Sequence, residues 1–259
     1  MQFYKYQGTG NDFILFDNRT GDVGLTQAQI ERLCHRRFGI GADGLMLLNT
    51  HPEMDFEMKY FNADGNPGSL CGNGSRCIIR FAHDLGIQKI QYVFLASDGP
   101  HEAELLSDNR ISLHMNDVFR IQQTELGLFM NTGSPHLVKI VETLNEVDVY
   151  AEGKKLRHHP SFAPGGTNVN FVERTTNPAH IVVRTFERGV EDETYSCGTG
   201  VTACALAMAF TDQTIRDTTI DTKGGTLAVT YDTLDFIRFE NIRLIGPAER
   251  VFQGEISLS

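Results

Sequence analysis

The sequence predicts an α/β chain built from two copies of one strand–helix unit. Three observations predict it. Strand-like apolar runs alternate with helical segments along all 259 residues. A Cys-Gly-x-Gly motif occurs twice, at Cys71-Gly72-Asn73-Gly74 and at Cys197-Gly198-Thr199-Gly200, a spacing of 126 from position 71 to position 197. The helices expected before them start near Thr26 and Asp148, an offset of 122. That period is far longer than a solenoid repeat, so the reading is two duplicated domains.

Strands are expected at 2–6 and 13–17, joined by the turn Gly8 to Asp12. A helix follows from Thr26, where a hydroxyl at the cap and Gln29 three residues on form a capping box, and Ile30, Leu33 and Cys34 make an apolar face. Strands at 45–49 and 56–61 come next. A loop rich in Gly, Asn and Pro (62–70) leads into Cys71 and a helix that stops near Gly86. Strands at 90–96, 102–107 and 111–115 complete the first copy. The second copy runs through strands at 126–131 and 137–141, a helix from Asp148 to Arg157, and strands at 167–174 and 180–187. A polar loop then leads to Cys197 and an Ala-rich helix. Three strand-like runs close the chain, at 218–222, 226–231 and 236–240.

Hydrophobic residues make up 41% and charged residues 22%, which excludes disorder, collagen and coiled coil as the main organisation. The net charge of −10, with no basic tail, argues against nucleic acid or an anionic membrane as partner. The apolar run 201–210 is too short to span a bilayer. The first residues lack the basic and apolar regions of a signal peptide. Five cysteines, an odd number, argue against a disulfide scaffold, so the expected compartment is the reducing cytoplasm.

Each motif cysteine closes a polar loop and opens a helix. The first N–H groups of a helix have no partner inside it and, with the helix dipole, favour an anion. Glycines there let a ligand approach the backbone. A cysteine at such a cap has its pKa lowered from about 8.5. Two such caps facing each other would give a carboxylate cradle with a thiol on each side, suited to taking a proton from one face of a carbon and returning one to the other. A lone cysteine at a tight turn is ordinarily packing, as expected for Cys34, Cys77 and Cys204. The matched pair favours chemistry. Cys71 and Cys77, and Cys197 and Cys204, are too widely spaced for a zinc pair, and no C-x-x-C or H-E-x-x-H is present, so no metal is expected.

Gly39 to Gly44 matches G-x-G-x-x-G but follows a helix and precedes a strand, so it reads as a turn rather than a dinucleotide site. Glu187 and Arg188 together suit a zwitterion, although alone they would be a solvated pair. Asn11, Asn62 and Asn168 stand at loop entrances. Ser134-Pro135-His136 is either a turn or a place from which His136 bonds a thiol.

Taken together, the stretches 8–13, 39–44, 61–65, 71–77, 133–136, 167–172, 186–189 and 197–200 resemble the diaminopimelate epimerase family, in family order and over nearly the whole chain. The resemblance implies two pseudo-symmetric domains, each a β-barrel-like sheet wrapped around a central helix, with the C-terminal strand returning to the first. This places 1–117 plus 247–259 around Cys71 and 118–246 around Cys197. It implies interconversion of LL- and meso-diaminopimelate, in lysine and peptidoglycan precursor biosynthesis, with no cofactor: neither pyridoxal phosphate nor metal. Cys71 and Cys197 would be the acid–base thiols. Gly72, Asn73, Gly198 and Thr199 would hold the α-carboxylate. Asn11, Asn62, Ser134, Asn168, Glu187 and Arg188 would bind the rest of the substrate, with His136 and Glu187 supporting the thiols. A homodimer is expected. Ser134 stands where the family often has Asn, and Gly44 where some members have Gln. The rivals are a proline or hydroxyproline racemase, a phenazine-type isomerase of similar fold, and a non-catalytic amino-acid-binding module.

Overall fold

A computed structural model describes residues 1–68 and 70–257. Ser69, in the loop expected before Cys71, and the last two residues of the expected first domain lie outside the described residues. The chain divides into two compact units, Met1–Leu113 with Pro247–Ser259, and His114–Gly246.

In the first unit, β1 (Gln2–Gly8) and β2 (Asn11–Asp17) form an antiparallel hairpin. Its two turn residues, Thr9 and Gly10, both have positive φ (50° and 84°), the backbone of a twist-matched two-residue turn. Helix α1 (Gln27–Cys34) starts at the predicted capping box, with both reciprocal bonds made. β3 (Gly44–Asn49) lies parallel to β2, and β4 (Phe56–Asn62) antiparallel to β3. Helix α2 (Gly72–Asp84) follows. β5 (Gln91–Ala96) is parallel to β4, and β6 (Gly99–Leu105) and β7 (Ile111–His114) continue antiparallel.

The second unit opens with β8 (Gln122–Thr124) and β9 (Gly127–Asn131), an antiparallel pair. β10 (Pro135–Val141) is antiparallel to β9; after helix α3 (Val149–Arg157), β11 (Asn168–Arg174) runs parallel to β10. β12 (His180–Glu187) is antiparallel to β11 and carries a short strand β13 (Asp192–Thr194). Helix α4 (Gly198–Thr211) leads to β14 (Asp217–Thr222), parallel to β12, and then to β15 (Gly225–Asp232) and β16 (Glu240–Gly246), both antiparallel. The last strand, β17 (Glu249–Glu255), belongs to the first unit and pairs antiparallel with β1.

The two units therefore repeat one order of pairings. From β17 to β7, and from β8 to β16 with β13 left aside, each adjacent pair has the same sense. In both units one helix, α1 or α3, joins the first parallel pair, and the other, α2 or α4, joins the second. α1 and α3 seal one face with Ile30 and Leu33, and with Val149 and Leu156. α2 and α4 are enclosed by their sheets: α2 touches β1, β2, β3, β6 and β17, and α4 touches β9, β10, β11, β12, β14 and β15. α4 is apolar nearly all round, in keeping with its enclosure. Strands covered on both faces lose the apolar–polar alternation, and β2 is buried through Phe13, Ile14, Leu15 and Phe16.

One expected strand is corrected. Residues 236–240 are mostly a turn, and the strand starts at Glu240. The Asp235 carboxylate accepts the N–H groups of Ile237 and Arg238, and Phe236 has φ +56°, so local side-chain-to-backbone bonding wins over the apolar run. β8 and β13 were not expected: both are three residues long and none of their residues is buried, so they carry no pattern. Among the described residues, no helix is long and apolar enough to cross a membrane.

Candidate active site

Cys71 and Cys197 occupy the same position in the two units, the N-cap of the enclosed helix. Their backbones are extended, φ −112° and −120°, and their carbonyls accept the N–H groups of Ser75 (2.7 Å) and Val201 (2.9 Å), closing the first helical turns. Neither side chain caps its helix.

In the first unit, the Asn11 amide nitrogen donates to the Asp43 carboxylate (2.6 Å). Its orientation is thereby fixed, and Asn11 Oδ1 faces Cys71 Sγ and Asn73 Nδ2, each at 3.5 Å. Beneath the cap lies Arg76, fully buried. Its guanidinium donates to Asn73 Oδ1 (3.0 Å), the Thr9 hydroxyl (3.1 Å), and the carbonyls of Gly72 (3.4 Å) and Pro247 (3.2 Å). Its partners are neutral, and burial pulls its pKa down to about 10. Asp12, beside Asn11, pairs with Arg36 (2.6 Å) and with buried Lys5 (2.7 Å). Burial opposes its ionisation, but these two cations outweigh burial and hold its pKa at about 2. Asn62 is exposed at the end of β4, opposite Gly44. A Cβ on Gly44 would lie 2.5 Å from the Tyr60 ring, so this position has no room for a side chain.

In the second unit, Asn168 Nδ2 donates to the Ser134 hydroxyl (2.9 Å), and Asn168 Oδ1 accepts the Arg188 backbone N–H (2.8 Å). The Arg188 guanidinium also reaches Ser134 Oγ (3.3 Å). Ser134, Asn168 and Arg188 thus form one cluster. Glu187 ends β12 and accepts from the Thr194 hydroxyl (2.9 Å). Cys197 Sγ lies 3.5 Å from Thr199 Oγ1, which lies 2.9 Å from His136 Nε2. His136 is fully buried, and burial, reinforced by Arg188, pulls its pKa down to about 3, so it is neutral.

Sequence reasoning missed Arg76, Asp43 and Asn170. Arg76 sits inside the quoted motif 71–77, but nothing in its spacing distinguishes a buried guanidinium from a solvated one. Asn170 had a signal: it lies two residues after Asn168 in a strand, hence on the same face. Burial pushes the thiols of Cys34 (to about 11), Cys77 and Cys204 up, so these three stay protonated, as packing cysteines do. Among the described residues, no three His, Cys, Asp or Glu side chains gather to hold a metal ion.

A family model for diaminopimelate epimerase matches residues 3–121 and 128–239. The chain belongs to the diaminopimelate epimerase family. It is 48% identical to the diaminopimelate epimerase of Flavobacterium psychrophilum, over 99% of this chain and 100% of that one. It is 44% identical to that of Chlorobaculum tepidum, over 97% and 99%. Among solved structures, a PhzF-family phenazine biosynthesis protein of Bacillus anthracis superposes with TM-score 0.75 at 15% identity, covering 100% of this chain and 99% of the other. A probable proline racemase from Agrobacterium radiobacter gives TM-score 0.67 at 16% identity, over 100% and 93%. These structural likenesses show a shared diaminopimelate epimerase-type fold. This epimerase-family chain is of the isomerase class.

Proposed function

We propose that this chain interconverts LL- and meso-diaminopimelate, with Cys71 and Cys197 as a thiol and thiolate pair that exchange roles in the reverse direction. The observation that carries this reading is the matched pair of cysteines, each the N-cap of its unit's enclosed helix. The α-proton of an amino acid is weakly acidic, and without an electron-sink cofactor the carbanion-like state must be stabilised by the protein. Helix N-termini aimed at the α-carboxylate would supply that, through the N–H groups of Gly72 and Asn73 and of Gly198 and Thr199. Inversion needs one thiol on each face of the α-carbon, and each unit contributes one.

Ser134, Asn168 and Arg188 are the proposed grip on a second charged end, supported by their mutual bonds. Asn11, Asn62 and Glu187 complete the proposed contacts. His136 supports Cys197 through Thr199. No cofactor is required by this chemistry. A homodimer in the cytoplasm, supplying lysine and peptidoglycan precursors, is the expected setting.

The second reading, a proline or hydroxyproline racemase, draws on the shared fold. A cluster built around Arg188 favours a substrate with a distal charge. The test is stereoisomer analysis after incubation with LL-diaminopimelate, meso-diaminopimelate, L-proline and trans-4-hydroxy-L-proline. Conversion of the two diaminopimelates alone, lost in Cys71→Ser and in Cys197→Ser, is the expected result. Turnover of a proline with diaminopimelate untouched would replace this reading by its rival.

A further inference from the structure

Asn170 is fully buried on β11, two residues from Asn168, and both its amide nitrogen and its amide oxygen have partners. Nδ2 lies 3.1 Å from the Leu137 carbonyl oxygen, which can only accept. That contact fixes which end of the amide is the nitrogen. Oδ1 accepts the Thr185 hydroxyl at 2.9 Å. The second hydrogen on Nδ2 points to His136 Nδ1, at 3.2 Å. Nδ1 must therefore be the accepting nitrogen.

We propose that Asn170 is a positioning residue for the epimerase reaction, fixing His136 as the neutral tautomer with its hydrogen on Nε2 and so leaving the Thr199 hydroxyl able to donate to Cys197. A neutral imidazole carries one hydrogen, and with Nδ1 accepting, it sits on Nε2 and is donated to Thr199 Oγ1. Thr199 then keeps its own hydrogen and one lone pair for Cys197 Sγ. The hydroxyl can donate to a thiolate or accept from a thiol, as a residue that changes protonation in every turnover requires. In the opposite tautomer Nε2 would accept the hydroxyl hydrogen, and Thr199 could serve only the thiol. The charged group bearing on His136 is Arg188; Met130, opposite it on β9, and Asn168 and Asn170 on β11 are neutral. Burial together with Arg188 keeps the ring uncharged. Gly200 belongs to the same arrangement: a Cβ there would lie 2.5 Å from Asn170 Oδ1.

The consequence for turnover rests on the proposed epimerase reading; the tautomer does not. The test is long-range 1H–15N correlation on full-length protein labelled in the imidazole nitrogens, with the His136 signal assigned by its loss in His136→Gln. His136 should show hydrogen on Nε2 alone, unchanged across about pH 5–8. Hydrogen on Nδ1 in the wild type would overturn the proposal. Asn170→Asp replaces the donor by an acceptor. It should move the imidazole hydrogen to Nδ1, so that Nε2 takes the Thr199 hydroxyl hydrogen, and raise the pH midpoint of Cys197 alkylation. It should also lower kcat about tenfold or more, with KM within about twofold. A folded Asn170→Asp protein with unchanged alkylation profile and kcat would likewise overturn it. A wild type with the Nε2 hydrogen but no action on diaminopimelate would sink the epimerase reading and leave the tautomer assignment standing.

Discussion

Gly200→Ala tests the packing behind Cys197 most sharply. The added methyl would sit 2.5 Å from Asn170 Oδ1 and 3.3 Å from Cys197 Sγ. Asn170 cannot step aside, because its amide is held by Leu137, His136 and Thr185. Overpacking a rigid core costs about 1–3 kcal/mol. Breaking one of these buried bonds adds about 1–3 kcal/mol. Alanine in a helix recovers at most about 1 kcal/mol relative to glycine. The expected net loss is about 2–4 kcal/mol, or roughly 5–15 °C in Tm for a protein of this size. Activity should fall further than stability, since the methyl also displaces Cys197. Gly74→Ala is the matched comparison in the first unit. There the methyl meets the end of the Met46 side chain, which can swing away, so stability should stay within about 1 kcal/mol of wild type. Urea and thermal unfolding of the two variants measure the difference. Equal losses, or a Gly200→Ala protein as stable and active as wild type, would refute the claim that Asn170 is rigidly held.

Ser134→Ala removes the hydroxyl that joins Asn168 to Arg188, and KM for diaminopimelate should rise about tenfold with little change in Tm; unchanged KM and kcat would make Ser134 a turn residue only. Arg76→Met leaves Asn73 Oδ1 and the Thr9 hydroxyl without the guanidinium and should cost about 2–4 kcal/mol, whereas Arg76→Lys, with charge but no fork, should recover less than half; full stability in Arg76→Met by urea unfolding would refute this. The Asp12 carboxyl, held at about 2 against an ordinary value of about 3.9, contributes stability that is complete above the ordinary value and is lost as pH falls through 2. Acid unfolding should therefore show a loss of about 2 kcal/mol over that window that Asp12→Asn lacks.

The duplication was legible because it rests on features that burial does not erase: the two Cys-Gly-x-Gly caps and the spacing of the helices. The capping box at Thr26 was legible because its bonds are local. The run 236–240 misled because its apolar residues suit a strand, yet Asp235 binds the backbone two and three residues on and turns it away from the sheet. β8 and β13 are too short and exposed to leave a pattern. Among the proposed site residues, Asn11, Asn168, Glu187 and Arg188 stand at element ends, where a turn or helix start draws attention. Asp43 and Asn170 were not found, because each acts through a residue distant in sequence, and Arg76 was not, because its burial leaves no mark in the motif. Asp43 orients Asn11 from 32 positions away, and Asn170 meets His136 across 34. Strand pairing brings these groups together, and no single stretch of sequence contains it.

In the proposed reaction Cys71 and Cys197 act on opposite faces of one carbon. Incubation of the reduced protein with LL-diaminopimelate in heavy water, sampled early in the reaction, tests it most directly. Meso product should carry deuterium at the inverted carbon, while recovered LL substrate carries little. Deuterium in both isomers from the outset would show a single base returning solvent protons to either face, and would contradict it.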